Sequence, residues 1–325
     1  MLISFSQAMA QCSEADKPSL LLGNGFSRAW RDDIFSYSSL LDRAEFGEGG
    51  DKIRTLFASL GTYDFEAVMR AMESAIAVLD AYGDQAELRA KVATDIEALK
   101  EALITAISTT HPSAINEVRA EQFRSARSFL HKFGSIFTLN YDLLFYWARN
   151  AAELEPVGVR TDDGFRGKRW MGYGTEQEAH FLHGGLHLYD VGSGVFKHTF
   201  SSGGIRIIDL VRRNLDAGRF PLFVSEPTSK KKLERIAHNS YLNFCYRKLL
   251  DLNGCVFVLG HSMDENDKHI FDQIKKAPVR QIYVSIHGDP DTEGNARVMA
   301  NANAFLGGSG RRITFFDAET ANVWG

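Results

Sequence analysis

The sequence predicts an α/β fold, a mostly parallel sheet with helices on both faces and an α-helical insertion. Short apolar runs, of which Cys255–Leu259 is the clearest, alternate with segments of helical spacing. They lack period-two alternation, which is typical of parallel strands that are buried on both faces. A helical block interrupts this pattern after its first strand. The 325 residues are enough for one large domain or two smaller ones.

The first strand is predicted at Leu20–Leu22, and it ends in the turn Gly23-Asn24-Gly25. Glycines at a strand-to-helix turn let the backbone approach a ligand, and the N–H groups of the next helix can face an anion. The turn therefore indicates a Rossmann-like nucleotide-phosphate site. An ordinary tight turn explains the same residues, because Arg28 replaces the third small residue of the dinucleotide fingerprint. A P-loop kinase or ATPase is excluded, since no Lys-Ser/Thr pair follows.

Residues 40–131 are predicted to form a helical insertion in the same globular unit. Apolar residues recur there at three- and four-residue steps, as in amphipathic helices. The first stripe comprises Phe65, Val68, Met69, Met72, Ile76 and Leu79, and the second comprises Leu88, Val92, Ile96, Leu99, Leu103 and Ile107. His111-Pro112 ends the second helix. We interpret both stripes as core.

The sheet pattern resumes after the insertion. Further strands are predicted at residues 135–139, 181–182, 195–200, 221–224, 255–259, 282–286 and 313–316. A helix is predicted from about 229 to 251, and its basic start, Ser229-Lys230-Lys231-Lys232, is interpreted as a solvated face. Residues 153–179 are rich in glycine and charge, which predicts a long surface excursion or lid.

Composition narrows the classes of function. The net charge is -4, which argues against general affinity for nucleic acid or for an anionic membrane. Neither a signal peptide nor a membrane-spanning run is recognisable. The cysteines are three, Cys12, Cys245 and Cys255, so we expect neither a disulfide framework nor a four-cysteine zinc site. A reducing cytoplasm is the expected location.

Four of the predicted strands end in polar or glycine-bearing motifs. These are Gly23-Asn24-Gly25, Asn140-Tyr141-Asp142, His183-Gly184 and Gly260-His261-Ser262. In an open α/β sheet, ligands bind beyond the carboxyl ends of the strands. The four motifs therefore predict a single site at one edge of the sheet.

These motifs resemble those of sirtuin-like proteins. The segments Leu22–Ser27, Thr138–Asp142, Leu182–Gly184 and Gly260–Ser262 follow the order seen there. They look closest to the bacterial sirtuin-like NAD hydrolases and to a related family known only as a domain of unknown function. The resemblance implies that residues 1–39 and 132–325 form a sirtuin-like, Rossmann-type NAD-binding domain around the insertion.

The resemblance also implies a role for each matching residue. The turn residues Gly23, Asn24, Gly25, Phe26 and Ser27 would bind the pyrophosphate of NAD. Asn140 would hold the nicotinamide-side ribose or the attacking water, and Asp142 would fix that loop or the nicotinamide end. His183 would be the general base. Gly260, Ser262 and Asp264 would bind further along the nucleotide.

The residue types suit cleavage of the nicotinamide–ribose bond, which passes through a cationic sugar. An imidazole can accept a proton near neutral pH, and an amide can position the nucleophile. Protein deacylation is not expected, because deacylases of the family carry the four-cysteine zinc module. The leading hypothesis is an NAD glycohydrolase that depletes NAD during phage infection, in a homo- or hetero-oligomer controlled by a partner subunit or a nucleotide signal.

Two alternatives remain open at this point. The chain could be a sensor that binds NAD, ADP-ribose or a related nucleotide without cleaving it. The histidines His180, His183 and His187 could instead bind a metal, although their spacing lacks a clear ligand pattern. We therefore expect no metal.

Overall fold

The computed structural model describes residues 2–12, 17–35, 40–63, 65–83, 85–109, 111–112, 114–151, 154–156, 162–199, 207–224, 226, 228–308 and 310–325. The strands are β1 (Ser19–Leu22), β2 (Ile136–Thr138), β3 (Phe165–Arg166), β4 (Arg169–Trp170), β5 (Ala179–Phe181), β6 (Gly184–Asp190), β7 (Val195–Lys197), β8 (Pro221–Phe223), β9 (Gly254–Leu259), β10 (Val279–Ile286) and β11 (Arg312–Asp317).

The α-helices are α1 (Phe5–Gln11), α2 (Gly25–Arg28), α3 (Asp32–Phe35), α4 (Leu40–Arg43), α5 (Gly50–Leu60), α6 (Phe65–Tyr82), α7 (Ala86–Thr109), α8 (Ala120–Leu130), α9 (Leu144–Asn150), α10 (Ile207–Asp216), α11 (Ser229–His238), α12 (Ser240–Lys248), α13 (Lys268–Ile274) and α14 (Glu293–Leu306). The predicted helix 229–251 is therefore two helices and a short 3-10 turn. Asn239 separates them, because its side chain caps the start of α12.

The central sheet has six parallel strands in the order β11-β10-β9-β1-β2-β5 among the described residues. Helices flank it, so the predicted α/β, Rossmann-like class is confirmed. The edge strand β11 buries only Phe316, whereas the inner strands β1, β2 and β9 are almost wholly apolar and buried, β9 throughout its length. This explains why they lack alternation, since both faces of the sheet are covered.

Every regular element described between residues 40 and 130 is helical. The two predicted amphipathic stripes correspond to α6 and α7, which pack against each other. Their inner residues, including Phe65, Met69, Leu99 and Leu103, belong to the same continuous core as the sheet. Burial of one helix face imposes this spacing, so most of the stripe positions were predicted correctly. Leu88 was not, because it is 47% exposed near the start of α7.

A second sheet was not predicted. In the part of the chain that the structure describes, it has five strands, which run in the order β3-β4-β7-β6-β8 and pair antiparallel. Strands β3 and β4 lie within residues 162–179, so the prediction of a surface excursion or lid is wrong for that part. Trp170 packs against Tyr241 and Phe244 there. Residues 153, 157–161 and 200, which also belong to predicted segments, lie outside the described residues.

The expectation of no disulfide is also wrong. Cys12, just after α1, is bonded to Cys255 in β9, while Cys245 is free and buried. The two partners are 243 positions apart in the sequence, a pairing that spacing alone does not reveal. Within the described part of the chain, each helix is too short or too polar to span a bilayer.

Candidate functional site

The carboxyl ends of four neighbouring strands bring the predicted motifs together. Leu22 of β1 pairs with Thr138 of β2 on one side and with Leu259 of β9 on the other. Thr138 in turn pairs with Phe181 of β5. Each motif begins one or two residues beyond these paired positions. The register therefore places the four motifs side by side at one edge of the sheet.

Two of the motifs meet through their glycines. A Cβ added to Gly25 would lie 2.4 Å from the Cα of Gly260, and one added to Gly23 would lie 2.5 Å from the Gly260 carbonyl oxygen. Gly260 itself has a φ of +66°, which side chains rarely adopt. The glycines are thus required for the contact between two strand ends.

The N–H groups of this turn bond within the protein. Those of Gly23 and Gly25 donate to the carbonyls of Leu259 and Gly260, at 2.9 and 2.8 Å. Those of Phe26 and Ser27 donate to Gly23 and Asn24. The structure therefore explains the turn by packing, and phosphate binding by it stays a prediction.

A chain of hydrogen bonds joins the first motif to the second. The Ser27 hydroxyl donates to Asp142 Oδ2 at 2.5 Å, and Asn140 Nδ2 donates to Ser27 Oγ at 3.1 Å. All three residues are buried. Because Ser27 gives its one hydrogen to Asp142, its oxygen accepts from Asn140, so the carbonyl oxygen of the Asn140 amide is directed away from Ser27.

Burial raises the pKa of Asp142 to about 6, against the hydrogen bonds from Ser27 and from the Leu144 N–H that favour its ionised form. The Leu144 N–H donates to the other carboxylate oxygen at 2.9 Å. Both oxygens of the carboxylate are therefore engaged, and Asp142 holds its loop in place. We name Asp142, Ser27 and Asn140 the DSN chain.

The loop between β2 and α9 is also held by a residue of the helical block. His111 Nε2 accepts from the Leu143 N–H at 2.8 Å, while its Nδ1 bonds the Pro112 carbonyl at 2.7 Å. These partners require a neutral ring with the proton on Nδ1. Burial agrees with this, because it lowers the pKa of His111 to about 4.

His183 lies where the chain leaves β5 and enters the second sheet. Its carbonyl accepts from the Val224 N–H at 2.9 Å. Gly184 follows with a φ of +74°, and a Cβ there would lie 2.0 Å from the Leu222 carbonyl oxygen. The His-Gly pair thus has a packing reason as well as a functional interpretation. Burial, then the charge of Lys232, lowers the pKa of His183 well below its usual value, so its imidazole is neutral at pH 7.

Residues to which the sequence analysis gave no catalytic or binding role surround His183. Asp267 Oδ1 lies 3.8 Å from His183 Nε2 and accepts from Lys232 Nζ at 2.6 Å. Asp267 Oδ2 bonds His261 Nε2 at 3.2 Å. The ring of His269 is stacked on that of His183, and the two ring centroids are 5.7 Å apart. Burial alone would raise the pKa of Asp267, but the bond from His261 and the nearby cationic groups hold it well below its usual range.

The interpretation of Ser229–Lys232 as a solvated face is wrong for Lys232, because its side chain is buried and ion-paired with Asp267. Its position in α11 is set by Ile236, also buried one turn later. The spacing His261-x5-Asp267-x-His269 after the strongest strand is a signal that could have drawn attention to this cluster.

The other residues predicted for the site take no part in the DSN chain or in the contacts of His183 and Asp267 described above. Phe26 is fully buried, and its ring packs 5.0 Å from that of Trp324. Asn24 donates to the Phe35 carbonyl at 2.8 Å. Ser262 and Asp264 are exposed, and Asp264 caps a short 3-10 turn.

The three histidines considered for a metal do not form a group. His180 stacks on Phe137 at 4.4 Å, and His187 packs 4.3 Å from the Tyr146 ring. A small polar pocket lies near the opposite, amino-terminal edge of the sheet, next to Ser19, Ser135 and Gln177. It does not contact the strand-end motifs.

Comparisons with known proteins give one family. The model of a family described as "Domain of unknown function (DUF4917)" matches residues 20–324. No curated protein matches the chain. A solved structure described as a Sir2 homolog–NAD complex is 14% identical, with a TM-score of 0.38, over 99% of this chain and 93% of that one. A second, a triple mutant of Sir2 homologues with 2'-O-acetyl ADP ribose, is 14% identical, with a TM-score of 0.34, over 93% and 98%.

Proposed function

The chain belongs to the DUF4917 family, and from its strand-end site we propose that it is an NAD glycohydrolase, which cleaves NAD to nicotinamide and ADP-ribose. The observation that carries the proposal is the DSN chain. It joins two separate strand-end motifs by buried hydrogen bonds, and β5, the strand that pairs with β2, ends two residues before His183.

The residue types fit this reaction. The bond between ribose C1' and the nicotinamide nitrogen breaks, and its electron pair leaves with nicotinamide. Water then adds to the cationic C1' and loses a proton. Asn140 is proposed to orient this water or the ribose through its amide carbonyl, which the DSN chain directs away from Ser27. An amide does so without a charge of its own.

His183 is proposed to accept the proton. Its imidazole is neutral at pH 7 because burial lowers its pKa, so the ring has a lone pair available. Protonation would place a charge in a buried site, and Asp267 Oδ1 at 3.8 Å would stabilise that charge. The turn Gly23–Ser27 with Gly260, Ser262 and Asp264 is proposed to bind the rest of the nucleotide.

We further propose that the activity depletes NAD as an anti-phage effector, in an oligomer regulated by a partner subunit or a nucleotide signal, in the cytoplasm. This part rests on the resemblance of the motifs Thr138–Asp142 and Leu182–Gly184. An effector that consumes NAD requires such control, because unregulated cleavage would harm its own cell.

The test follows free nicotinamide after NAD is added to the protein, alone and with the products of neighbouring genes. We expect Asn140→Ala and His183→Ala to reduce release by at least about 100-fold, the range for loss of a positioning or proton-transfer group. Asn303→Ala and His238→Ala, at exposed helical positions, are the matched controls and retain the rate. Release that is unaffected by both site variants would refute the assignment.

The second candidate is a sensor that binds NAD or ADP-ribose without cleaving it. Its supporting observation is that Asn140 and His183 are 7% and 4% exposed, which limits access of water to both. Saturable NAD binding by the wild-type chain without nicotinamide release, under every activating condition, would favour the sensor.

A further inference from the structure

Three side chains near the strand-end site offer ligand atoms to a common point. One atom from each of His183, Asp267 and His269 lies within 4.8 Å of the others. We propose that these residues, the HDH cluster, bind a zinc ion through the Nε2 atoms of the two histidines and a carboxylate oxygen of Asp267. The site differs from the three histidines considered in the sequence, of which only His183 belongs to it.

The two imidazoles lack internal partners at the relevant atoms. Within the described residues, Nε2 of His183 and Nε2 of His269 are buried and make no hydrogen bond. Both histidines are 4% exposed. A buried polar atom without a partner costs free energy, and a ligand at this point would satisfy both atoms together. Neutral imidazole is also the form that binds zinc.

The surrounding bonds orient the ligands as in known zinc sites. His269 Nδ1 lies 3.1 Å from Ser229 Oγ, so Nε2 is left to face the metal. Asp267 Oδ2 accepts from His261 Nε2 at 3.2 Å, and His261 Nδ1 accepts from the Met263 N–H at 2.8 Å. Such outer bonds fix the tautomer and orientation of zinc ligands.

The distances require only a small contraction. Zinc bonds of about 2.0–2.1 Å at tetrahedral angles separate ligand atoms by about 3.3–3.4 Å. His183 Nε2 and Asp267 Oδ1 are 3.8 Å apart, and no pair in the cluster exceeds 4.8 Å. Rotation of the side chains would have to shorten these distances by about 0.5 to 1.5 Å. Two nitrogens and one oxygen leave the fourth position to water, which is the donor set of an open zinc site.

Lys232 opposes the ion. Its ammonium lies 2.6 Å from Asp267 Oδ1, so it repels a second cation and occupies one lone pair of the carboxylate. A carboxylate oxygen has a further lone pair, which permits shared binding with a weaker affinity. Removal of the ammonium by Lys232→Met should therefore tighten zinc binding.

Zinc binding would regulate the proposed reaction. An ion on His183 Nε2 prevents that nitrogen from accepting a proton, so micromolar zinc is expected to inhibit NAD cleavage. This consequence rests on the proposed function, whereas zinc binding itself does not.

The experiment titrates untagged protein with Zn²⁺ against a chromophoric chelator and records the visible absorption of Co²⁺ in the same site. We expect one ion per chain for the wild type and for the control His287→Gln, whose side chain is 81% exposed. His269→Gln should bind at least about 100-fold more weakly, and Ser229→Ala about 10- to 100-fold more weakly, as for lost outer bonds. Lys232→Met should bind more tightly.

Thermal melts establish whether each variant is folded. If His269→Gln does not fold, the zinc affinity of Ser229→Ala tests the proposal in its place. Absence of stoichiometric binding in the wild type would overturn the proposal. So would equal affinities of the wild type and the folded His269→Gln or Ser229→Ala variant. To keep the two tests separate, the NAD assay is repeated with a metal chelator present, and nicotinamide release under that condition tests the proposed function independently of zinc.

Discussion

At the scale of the residue, the DSN chain depends on the carboxylate of Asp142, which lies in a buried environment that disfavours its ionised form. Burial raises the pKa of Asp142 to about 6, although Ser27 and the Leu144 N–H both bond its ionised form. The sequence predicted that Asn140 and Asp142 act at one strand end. It could not predict the bond to Ser27, because 115 positions separate Ser27 from Asp142 and only the register of β1 and β2 brings them together.

The raised pKa predicts how stability depends on pH. Folded Asp142 keeps its proton up to about pH 6, whereas the unfolded group loses it near its ordinary pKa of 3.8. The folded state therefore binds more protons in this window, and the contribution of Asp142 to stability falls as pH rises from about 4 to 6, by up to about 3 kcal/mol. Asp142→Asn should remove this decrease. Urea unfolding of both proteins from pH 4 to 8 measures it, and parallel pH profiles would contradict it.

Ser27→Ala tests the chain itself. The change leaves Asp142 Oδ2 and Asn140 Nδ2 buried without their partner, which should cost about 1–3 kcal/mol in the free energy of unfolding. It also frees the Asn140 amide to rotate, so nicotinamide release should fall by about 10-fold or more. Ser240→Ala, at an exposed position, is the control. Unchanged unfolding and unchanged release together would show that the chain has no role.

At the scale of the element, backbone contact through Gly25 and Gly260 holds the ends of β1 and β9 together, whereas side-chain hydrogen bonds join the ends of β1 and β2. The apolar runs predicted β1, β2, β9, β10 and β11, because burial on both faces leaves few polar residues in a strand. In the second sheet, β7 and β8 fall within the strands predicted at residues 195–200 and 221–224, whereas β6, β3 and β4 were not predicted. Strands β3 and β4 span only two residues each. Strands that short carry no measurable period, and their pairing is set by the whole fold.

The close contact between Gly25 and Gly260 predicts that the addition of a single methyl group at Gly25 destabilises the fold. Gly25→Ala would place Cβ 2.4 Å from the Gly260 Cα. Only a shift of the backbone could relieve this clash, because the nearest atoms are backbone atoms. We expect a loss of more than about 3 kcal/mol, in the range of severe backbone clashes. Gly294→Ala is the matched control, since it lies in α14 with open space around it, and it should be neutral or stabilising by about 0.4–1 kcal/mol.

Thermal or chemical unfolding of the two alanine variants makes the comparison. Equal stabilities would mean that β1 and β9 do not approach at this turn. The interpretation of the glycines as packing residues would then be wrong, and their role in binding phosphate would gain weight.

At the scale of the whole molecule, one continuous core joins the helical block, the parallel sheet and the residues near position 324. Trp324 illustrates this, since its indole packs on Phe26 and its Nε1 donates to the Phe26 carbonyl at 2.7 Å. The amphipathic stripes predicted the helical block. Nothing in the sequence around Trp324 predicted its contact with the glycine turn, because the two are about 300 positions apart.

Trp324→Ala should therefore destabilise the fold by about 3–5 kcal/mol, as for other buried tryptophans. The loss should also be felt at the glycine turn. Hydrogen exchange of the Phe26 and Ser27 amides measures this effect. We expect Trp324→Ala to accelerate exchange more at these two amides than at the amides of α6. Exchange accelerated equally everywhere would indicate only a global loss of stability.

The central claim is that Asn140 and His183 belong to one site that cleaves NAD. The most direct measurement is nicotinamide release by the activated, assembled protein and by the folded double variant Asn140→Ala/His183→Ala. We predict stoichiometric conversion of NAD to nicotinamide and ADP-ribose by the wild type and no release above background by the double variant. Cleavage by the double variant at the wild-type rate would contradict the claim.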